Sequence, residues 1–301
     1  MKTDGIRAFR FSWILIAGMA FSSHSAVAQD YFGSLSASGV YADGSKLLDD
    51  EEDSNRSAFI LRGDGGARWL HRNSATQITV SSNYYDYLDS GRRDRWNNEV
   101  ELDHEISLSK TVDLSLTASV GSNYSTLEYR SADQVALGAE LLYRPSRQHR
   151  LGFAAGYRHR EYDDPAGSSG SAPYAEASYR YQPNNRHRFD VDARYEWVDT
   201  DNANFDYQRQ RVGGFYTRTF DRANRLRVGL VLQNWEFDSR LATGRPDELH
   251  SWRVQPQVRF TRTFARDTTV ELDYRLDLRR SNDATREEDG NRLSLTVRKR
   301  F

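Results

Sequence analysis

Two neighbouring stretches at the C-terminus decide the fold, because both alternate between apolar residues and charged or polar ones. Residues 269–279 read TVELDYRLDLR, and residues 292–301 read RLSLTVRKRF. Successive side chains of a β-strand point to opposite faces of the sheet, so each stretch predicts a strand with one apolar and one charged face. The length suits a tilted strand that crosses a bilayer, which takes about 9–11 residues.

The same alternation recurs along the chain and predicts an all-β protein. We predict a single transmembrane antiparallel up-and-down β-barrel of about 14 strands, within a range of roughly 12–16, because single-chain bacterial barrels have an even strand number. The predicted strands lie near residues 31–41, 57–70, 75–87, 95–108, 112–124, 134–144, 150–162, 172–182, 188–198, 207–220, 226–238, 251–264, 269–280 and 290–301.

The connections between these strands alternate in length. Short turns, such as residues 71–74 and 183–187, alternate with longer polar connections, such as residues 42–56 and 239–250. Short periplasmic turns and longer external loops are typical of transmembrane barrels. Aromatic residues near the strand ends, among them Trp197 and Tyr207, predict the interfacial girdles of such a barrel.

The N-terminus predicts a secretory signal peptide over residues 1–28 and a barrel domain over residues 29–301. Three basic residues precede a short apolar core at residues 13–21, and the small residues 26–28 fit a cleavage site near Ala28. The apolar core is too short to span a bilayer as a helix.

Composition excludes several classes of function. A mean hydropathy of -0.80 with 12% aromatic residues fits a barrel that needs apolar side chains at only every second strand position. The chain has no cysteine, and its formal net charge of -1 gives no general excess of positive charge for a nucleic-acid partner. We find no nucleotide or metal motif and expect no cofactor and no metal site.

The charged residues of the alternation are predicted to face a polar lumen. The candidates for lining a pore are Arg62, Asp64, Arg68, Glu99, Glu101, Asp103, Glu105, Arg158, Arg160, Asp190, Asp192, Arg194, Glu196, Arg209, Arg211, Arg253, Arg259, Glu271, Asp273, Arg275, Asp277 and Arg279. They could form cross-strand ion-pair ladders, or acidic and basic strips that face each other across the pore and select solutes by charge. The two interpretations are compatible.

Two further arginines fall on the apolar face. Arg218 and Arg262 would each cost about 2–4 kcal/mol at the bilayer midplane but only about 0–1 kcal/mol near an interface. The register therefore predicts that both lie at the rim next to the short turns.

Enzymatic constellations are weak in this sequence, and we expect no catalytic activity. Asp103-His104 is the one adjacent acid–histidine candidate, and Asp163-Asp164 lacks an identifiable histidine partner.

The ending at Phe301 resembles the C-terminal strand of bacterial outer-membrane β-barrels, which the barrel-assembly machinery recognises. In size and hairpin rhythm the chain resembles monomeric fourteen-stranded porins such as outer membrane protein G. Residues 151–162 and 291–301 are also similar to the barrel of surface lipoprotein assembly modifiers. The resemblance implies the outer membrane of a Gram-negative bacterium, with membrane lipids and lipopolysaccharide as partners.

Three functions follow as hypotheses. The first is a passive or weakly selective pore for small hydrophilic or charged solutes. The second is a barrel that works with partners in the export or surface assembly of polysaccharide or lipoprotein. The third is a structural barrel without conductance.

Overall fold

The computed structural model of the protein describes residues 28–43, 57–88, 94–123, 132–162, 169–265 and 267–301, and these residues form fourteen strands. The strands are β1 (Ala28–Asp43), β2 (Ala58–Leu70), β3 (Ser74–Tyr87), β4 (Arg95–Ser107), β5 (Val112–Ser122), β6 (Ala132–Tyr143), β7 (His149–Tyr162), β8 (Gly170–Asn184), β9 (His187–Thr200), β10 (Tyr207–Thr219), β11 (Asn224–Leu241), β12 (Glu248–Ala265), β13 (Thr268–Ser281) and β14 (Glu288–Arg300). Short 3₁₀ helices, Ala203–Phe205 and Ala284–Arg286, precede β10 and β14.

The sheet closes on itself. Each strand pairs antiparallel with its neighbours in sequence, and β1 pairs with β14 from Ser34 opposite Arg300 to Asp43 opposite Asn291. At the seam, the backbone N–H of Phe301 donates a hydrogen bond of 2.9 Å to the carbonyl of Gly33. Closure pairs the backbone groups that an open sheet edge would leave exposed, which is the condition for a sheet to lie in lipid. The predicted all-β barrel of fourteen strands is confirmed.

The two ends of the barrel differ in their connections. The strands from β2 to β13 are joined in pairs by short turns at one end, called the short-turn end, where β1 begins and β14 ends. The other connections lie at the opposite end, called the long-loop end. The turn predicted at residues 183–187 is tighter than expected, because β8 runs to Asn184 and β9 begins at His187. The side-chain Oδ1 of Asn184 accepts hydrogen bonds from the N–H groups of Arg186 and His187 at 2.9 and 3.1 Å and so stabilises this turn.

The outer face is apolar. Leu293, Leu295 and Val297 of β14 are 43%, 51% and 46% exposed, although burial in a soluble protein would be expected for such residues. They alternate with polar residues on the inner face, as the sequence predicts. Tyr207 was predicted to join the outer girdle, and this is wrong. Its register opposite Val198 and Phe237 puts it on the inner face, with the other odd-numbered residues of β10.

The two outward arginines lie at the short-turn end, as predicted. Arg218 pairs in register with His187, the first residue of β9, and Arg262 with Asn224, the first residue of β11. Each guanidinium lies over the phenylalanine two residues further on, at 5.2 Å from the ring centre of Phe220 and 5.0 Å from that of Phe264. A cation–π contact at the rim keeps the charge at an interface, where its cost is low.

Some predicted features lie outside the described residues. These are the signal peptide, except for Ala28 with which β1 begins, and the pair Asp163-Asp164. Among the residues that are described, no helix has the length and apolarity needed to span a membrane.

Candidate functional site

The lumen of the barrel brings together the charged residues that the alternation predicts. The strand register places all of the candidates from Arg62 to Arg279 on the face opposite the exposed apolar side chains. That they line a conducting pore stays a prediction.

Strands β4 to β6 carry an acidic wall. We define it by the inward residues Glu99, Glu101, Asp103, Glu105, Asp113 and Glu140. The four carboxylates of β4 occupy alternate positions on one strand, and their neighbours in register are small or uncharged. Thr79 and Ser119, for example, flank Glu101. Negative charge is therefore concentrated on this side of the lumen.

Strands β10 to β12 carry an arginine wall. We define it by the inward residues Arg209, Arg211, Arg225, Arg227, Arg253 and Arg259. None of the described inward residues of these three strands is a carboxylate. In a closed ring of fourteen strands, β4 lies seven strands from β11, and β5 lies seven strands from β12. The acidic and arginine walls consequently face each other across the lumen, as one of the two sequence-based interpretations expected.

The strands that flank the arginine wall supply its counter-charges. Glu196 of β9 is fully buried, and its carboxylate oxygens lie 2.8 Å from Arg158 Nε and 2.5 Å from Arg209 Nη2. A third guanidinium, that of Arg194, lies 3.4 Å away. A buried carboxylate is stable only when it is paired and hydrogen-bonded, and three arginines meet that need.

On the other flank of the arginine wall, in β13, a second carboxylate is shared by two arginines. Asp273 accepts hydrogen bonds from Arg259 Nε at 2.8 Å and from Arg275 Nε at 2.9 Å. On the first flank, Arg211 forms an ion pair with Asp192 of β9. Ion-pair ladders, the other interpretation of the inner charges, are therefore also present, and they are concentrated around the arginine wall.

The lumen is more crowded at its long-loop half. The largest fully buried side chains of the described chain are Leu249, Glu196 and Ser251, and all three lie in this half. Tyr85 and Tyr87 near the long-loop end of β3 are also buried. The inner wall is thus tightly packed on the long-loop side.

Inward aromatic rings lie flat against the wall where a neighbouring strand supplies glycine. A Cβ added to Gly229 would lie 2.2 Å from the ring of Phe215, and one added to Gly156 would lie 2.4 Å from the ring of Tyr174. Each ring in turn supports a guanidinium: Arg227 lies 4.0 Å from the ring centre of Phe215, and Arg194 lies 3.9 Å from that of Tyr174. Stacking helps to hold both cations in place, and Arg194 is also held by the carboxylates of Glu196 and Glu176.

The sequence-based set of lining residues was incomplete. The inner face also carries Asp113, Glu140, Arg150, Glu176, Arg180, Arg188, Arg225 and Arg227. The signal that finds them is the same alternation, extended to every second residue of β5 to β11.

Asp103 and His104, the candidate catalytic pair, lie on opposite faces of β4. Asp103 faces the lumen, while His104 faces outward and its Nδ1 lies 2.9 Å from the hydroxyl of Thr76. Within the described residues, no group of three or more acidic, histidine or cysteine side chains could hold a metal ion.

Comparisons with known proteins give a likeness of fold. No protein-family model matches the chain, and no curated protein sequence does. Among solved structures, the outer membrane channel DcaP of Acinetobacter baumannii is similar with a TM-score of 0.57 and 12% identity, over 91% of this chain and 97% of that one. A loop-deletion form of OmpT, an outer membrane protein of Vibrio cholerae, has a TM-score of 0.55 and 9% identity, over 91% and 99%. An anion-selective porin from Comamonas acidovorans has a TM-score of 0.53 and 7% identity, over 91% and 99%.

These neighbours confirm the resemblance to bacterial outer-membrane barrels at the level of the fold. The chain has the architecture of outer-membrane porins and channels, a closed antiparallel barrel with short turns at one end. The finer resemblances, to outer membrane protein G and to the surface lipoprotein assembly modifiers, stay predictions.

Proposed function

We propose that this protein is an outer-membrane pore that passes small hydrophilic or charged solutes by diffusion. The observation that carries the proposal is the opposition of the acidic wall to the arginine wall inside a barrel whose outer face is apolar. Opposed charges in a confined lumen create a transverse field that orients polar solutes and concentrates ions. Passage through such a lumen requires no catalytic group and no cofactor.

The proposed location is the outer membrane of a Gram-negative bacterium, reached after cleavage of a signal peptide near Ala28. The exposed apolar belt supports contact with lipid and lipopolysaccharide. The C-terminal strand ends at Phe301, whose side chain is 76% exposed, and this supports its recognition by the barrel-assembly machinery. The proposed recognition by this machinery depends on the sequence of the C-terminal strand alone.

Recording single channels in a planar bilayer tests the proposal directly. We expect discrete conductance steps with the purified, folded barrel. A salt gradient across the bilayer should then give a reversal potential that depends on which wall dominates. Heat-modifiable migration on a gel, with the unboiled protein running faster, controls for folding. Folded protein that gives no conductance above background would refute the pore.

A structural barrel without conductance is the second candidate, and the crowded long-loop half favours it. Leu249 and Ser251 are each 1% exposed there, and Arg253 is 4% exposed. The same recording separates the two functions. If the barrel is closed, replacing Arg253 with alanine should open a measurable conductance in a protein that otherwise has none. In the pore that we propose, this replacement only increases an existing conductance.

A further inference from the structure

A cavity of about 250 Å³ opens in the wall of the lumen toward the short-turn end. Arginines from four strands meet there, together with carboxylates. The side chains that matter here are Arg150, Arg180, Arg188, Arg227, Asp190 and Glu140. The cavity is smaller than the roughly 300–1,000 Å³ of drug-sized sites, so it suits a small solute.

Two of the four arginines share one carboxylate, which balances one of their two positive charges. Arg180 Nε donates to one oxygen of Asp190 at 2.7 Å, and Arg188 Nε donates to the other at 2.8 Å. Asp190 therefore has both of its oxygens occupied. It holds the two guanidiniums in place but has little capacity left to balance a further cation.

The other two arginines have no such partner. Among the described residues, neither Arg150 nor Arg227 forms an ion pair with a carboxylate, and the Nε of Arg227 is buried without a hydrogen-bond acceptor. Arg150 stands opposite Arg180 in register, so its nearest neighbour across the strands carries the same charge. Both side chains are only partly buried, so N–H groups of their guanidiniums are open to a ligand, and an oxyanion would give them charge-assisted acceptors.

The position of Arg227 is fixed before any ligand arrives. Its guanidinium stacks 4.0 Å from the ring centre of Phe215, and that ring lies flat because Gly229 leaves room for it. Stacking uses the face of the guanidinium and leaves its N–H groups for an acceptor. A cation that is already ordered loses little conformational entropy on binding, which favours affinity.

We propose that this cavity binds a small oxyanion, a phosphate or carboxylate group, between Arg150 and Arg227. Glu140 and Ser178 on the cavity wall provide acceptors and a hydroxyl for a hydroxylated solute, such as a sugar acid or sugar phosphate. The inference rests on the proposed pore function for the route by which the solute arrives, and it names the class of solute. Binding itself does not require conduction.

Calorimetric titration of the purified barrel in detergent tests the site with two probes, inorganic phosphate and glucuronate. We expect saturable binding by the wild type. Arg150→Gln and Arg227→Gln should each weaken it by about tenfold, because each removes charge-assisted hydrogen bonds to the anion. Arg225→Gln is the matched control. It removes the same charge from the same face of β11 two residues away, where Arg225 is exposed and outside the cavity, and it should leave binding unchanged.

A second pair of variants distinguishes specific binding at Arg227 from a general effect of positive charge in the lumen. Arg227→Lys keeps the charge but loses the planar donor fork, and Phe215→Leu keeps Arg227 but removes its stacking surface. Both should weaken binding several-fold. The site is overturned if the wild type shows no saturable binding of either probe, or if Arg225→Gln weakens binding as much as Arg227→Gln. Should Arg227→Gln fail to give a heat-modifiable band, Arg150→Gln decides by the same criteria.

The outcomes distinguish this inference from the pore proposal. Conductance with no saturable anion binding overturns the site and leaves the pore intact. Anion binding by a barrel that does not conduct supports the site and refutes the pore. If the pore and the anion site are both present, millimolar phosphate should reduce the chloride current through the wild type. The same phosphate should reduce the current through Arg227→Gln less.

Discussion

The acidic wall and the arginine wall arise from the same alternation of apolar and charged residues, yet they have different neighbours. The carboxylates of β4 lie between uncharged residues of β3 and β5. The guanidiniums of β10 to β12 lie between β9 and β13, which supply Glu196, Asp192 and Asp273. Four of the six guanidiniums of the arginine wall thus have a carboxylate of β9 or β13 within ion-pair distance, whereas the register neighbours of the β4 carboxylates carry no charge. Equal numbers of charges on the two walls do not make equal fields, because the neighbouring strands decide how much of each charge is balanced.

The largest effect should come from removing the buried counter-charge of the arginine wall. Glu196→Gln leaves Arg158, Arg194 and Arg209 close together without their shared carboxylate. Breaking a buried pair by removing one partner costs about 3–5 kcal/mol. We expect a clear fall in the urea concentration at which the detergent-solubilised barrel unfolds.

The matched control lies on the acidic wall. Glu105 is 3.9 Å from Arg68, and both side chains are nearly half exposed. Glu105→Gln should therefore cost about 0–1 kcal/mol, as exposed pairs do. Equal losses of stability in the two variants would show that Glu196 is no more strongly paired than Glu105.

Neutralising the acidic wall should change ion selectivity. Replacing Glu99, Glu101, Asp103 and Glu105 together with their amides removes four carboxylates whose register neighbours in β3 and β5 are uncharged. We expect the cation-to-anion permeability ratio to fall by roughly several-fold, because fixed charge in a narrow lumen sets the local ion concentration. The reversal potential in a salt gradient measures this ratio. The paired variant Arg225→Gln with Arg227→Gln should move it in the opposite direction, and an unchanged potential in the first variant would mean that this wall does not line the conduction path.

A smaller effect should follow from crowding the aromatic support of the arginine wall. A Cβ at Gly229 would meet the ring of Phe215 at 2.2 Å and the carbonyl of Gly214 at 2.7 Å. Overpacking of this kind costs about 1–3 kcal/mol, so Gly229→Ala should unfold at a lower urea concentration. Gly214→Ala is the control in the adjacent strand, because nothing lies within 4 Å of the added Cβ. If both variants unfold like the wild type, the ring does not lie against Gly229.

The smallest effect should be on the pH dependence of stability, through Asp283, which lies outside both walls. Hydrogen bonds from the hydroxyl of Thr285, and then from that of Thr243, hold the pKa of Asp283 well below its usual range. A depressed folded-state pKa contributes stability above the unfolded-state pKa of about 3.9, and that contribution is lost as the pH falls through the folded value. Asp283→Asn should therefore lower the unfolding midpoint at pH 6 more than at pH 2. A deficit of the same size at both pH values would contradict an ionised Asp283.

The sequence by itself indicated about fourteen strands and determined the alternation of connection lengths and the assignment of side chains to two faces. A strand repeats every two residues, so the residues alone state which side chains share a face. This local rule also placed Arg218 and Arg262 at the rim. Nearness to a strand end does not decide the face of Tyr207: its odd residue number puts it with the inward side chains of β10.

Only the tertiary structure decided which strands face each other and which charges cancel. The opposition of β4 to β11 depends on closure between β1 and β14, and the burial of Glu196 depends on arginines from β7, β9 and β10. The meeting of Arg150 and Arg227, which form no ion pair with a described carboxylate, in one cavity likewise depends on the packing of several strands. Charge is a property of each residue, whereas its neutralisation depends on distances between residues far apart in the chain, and those distances are set by the closed register of the whole barrel.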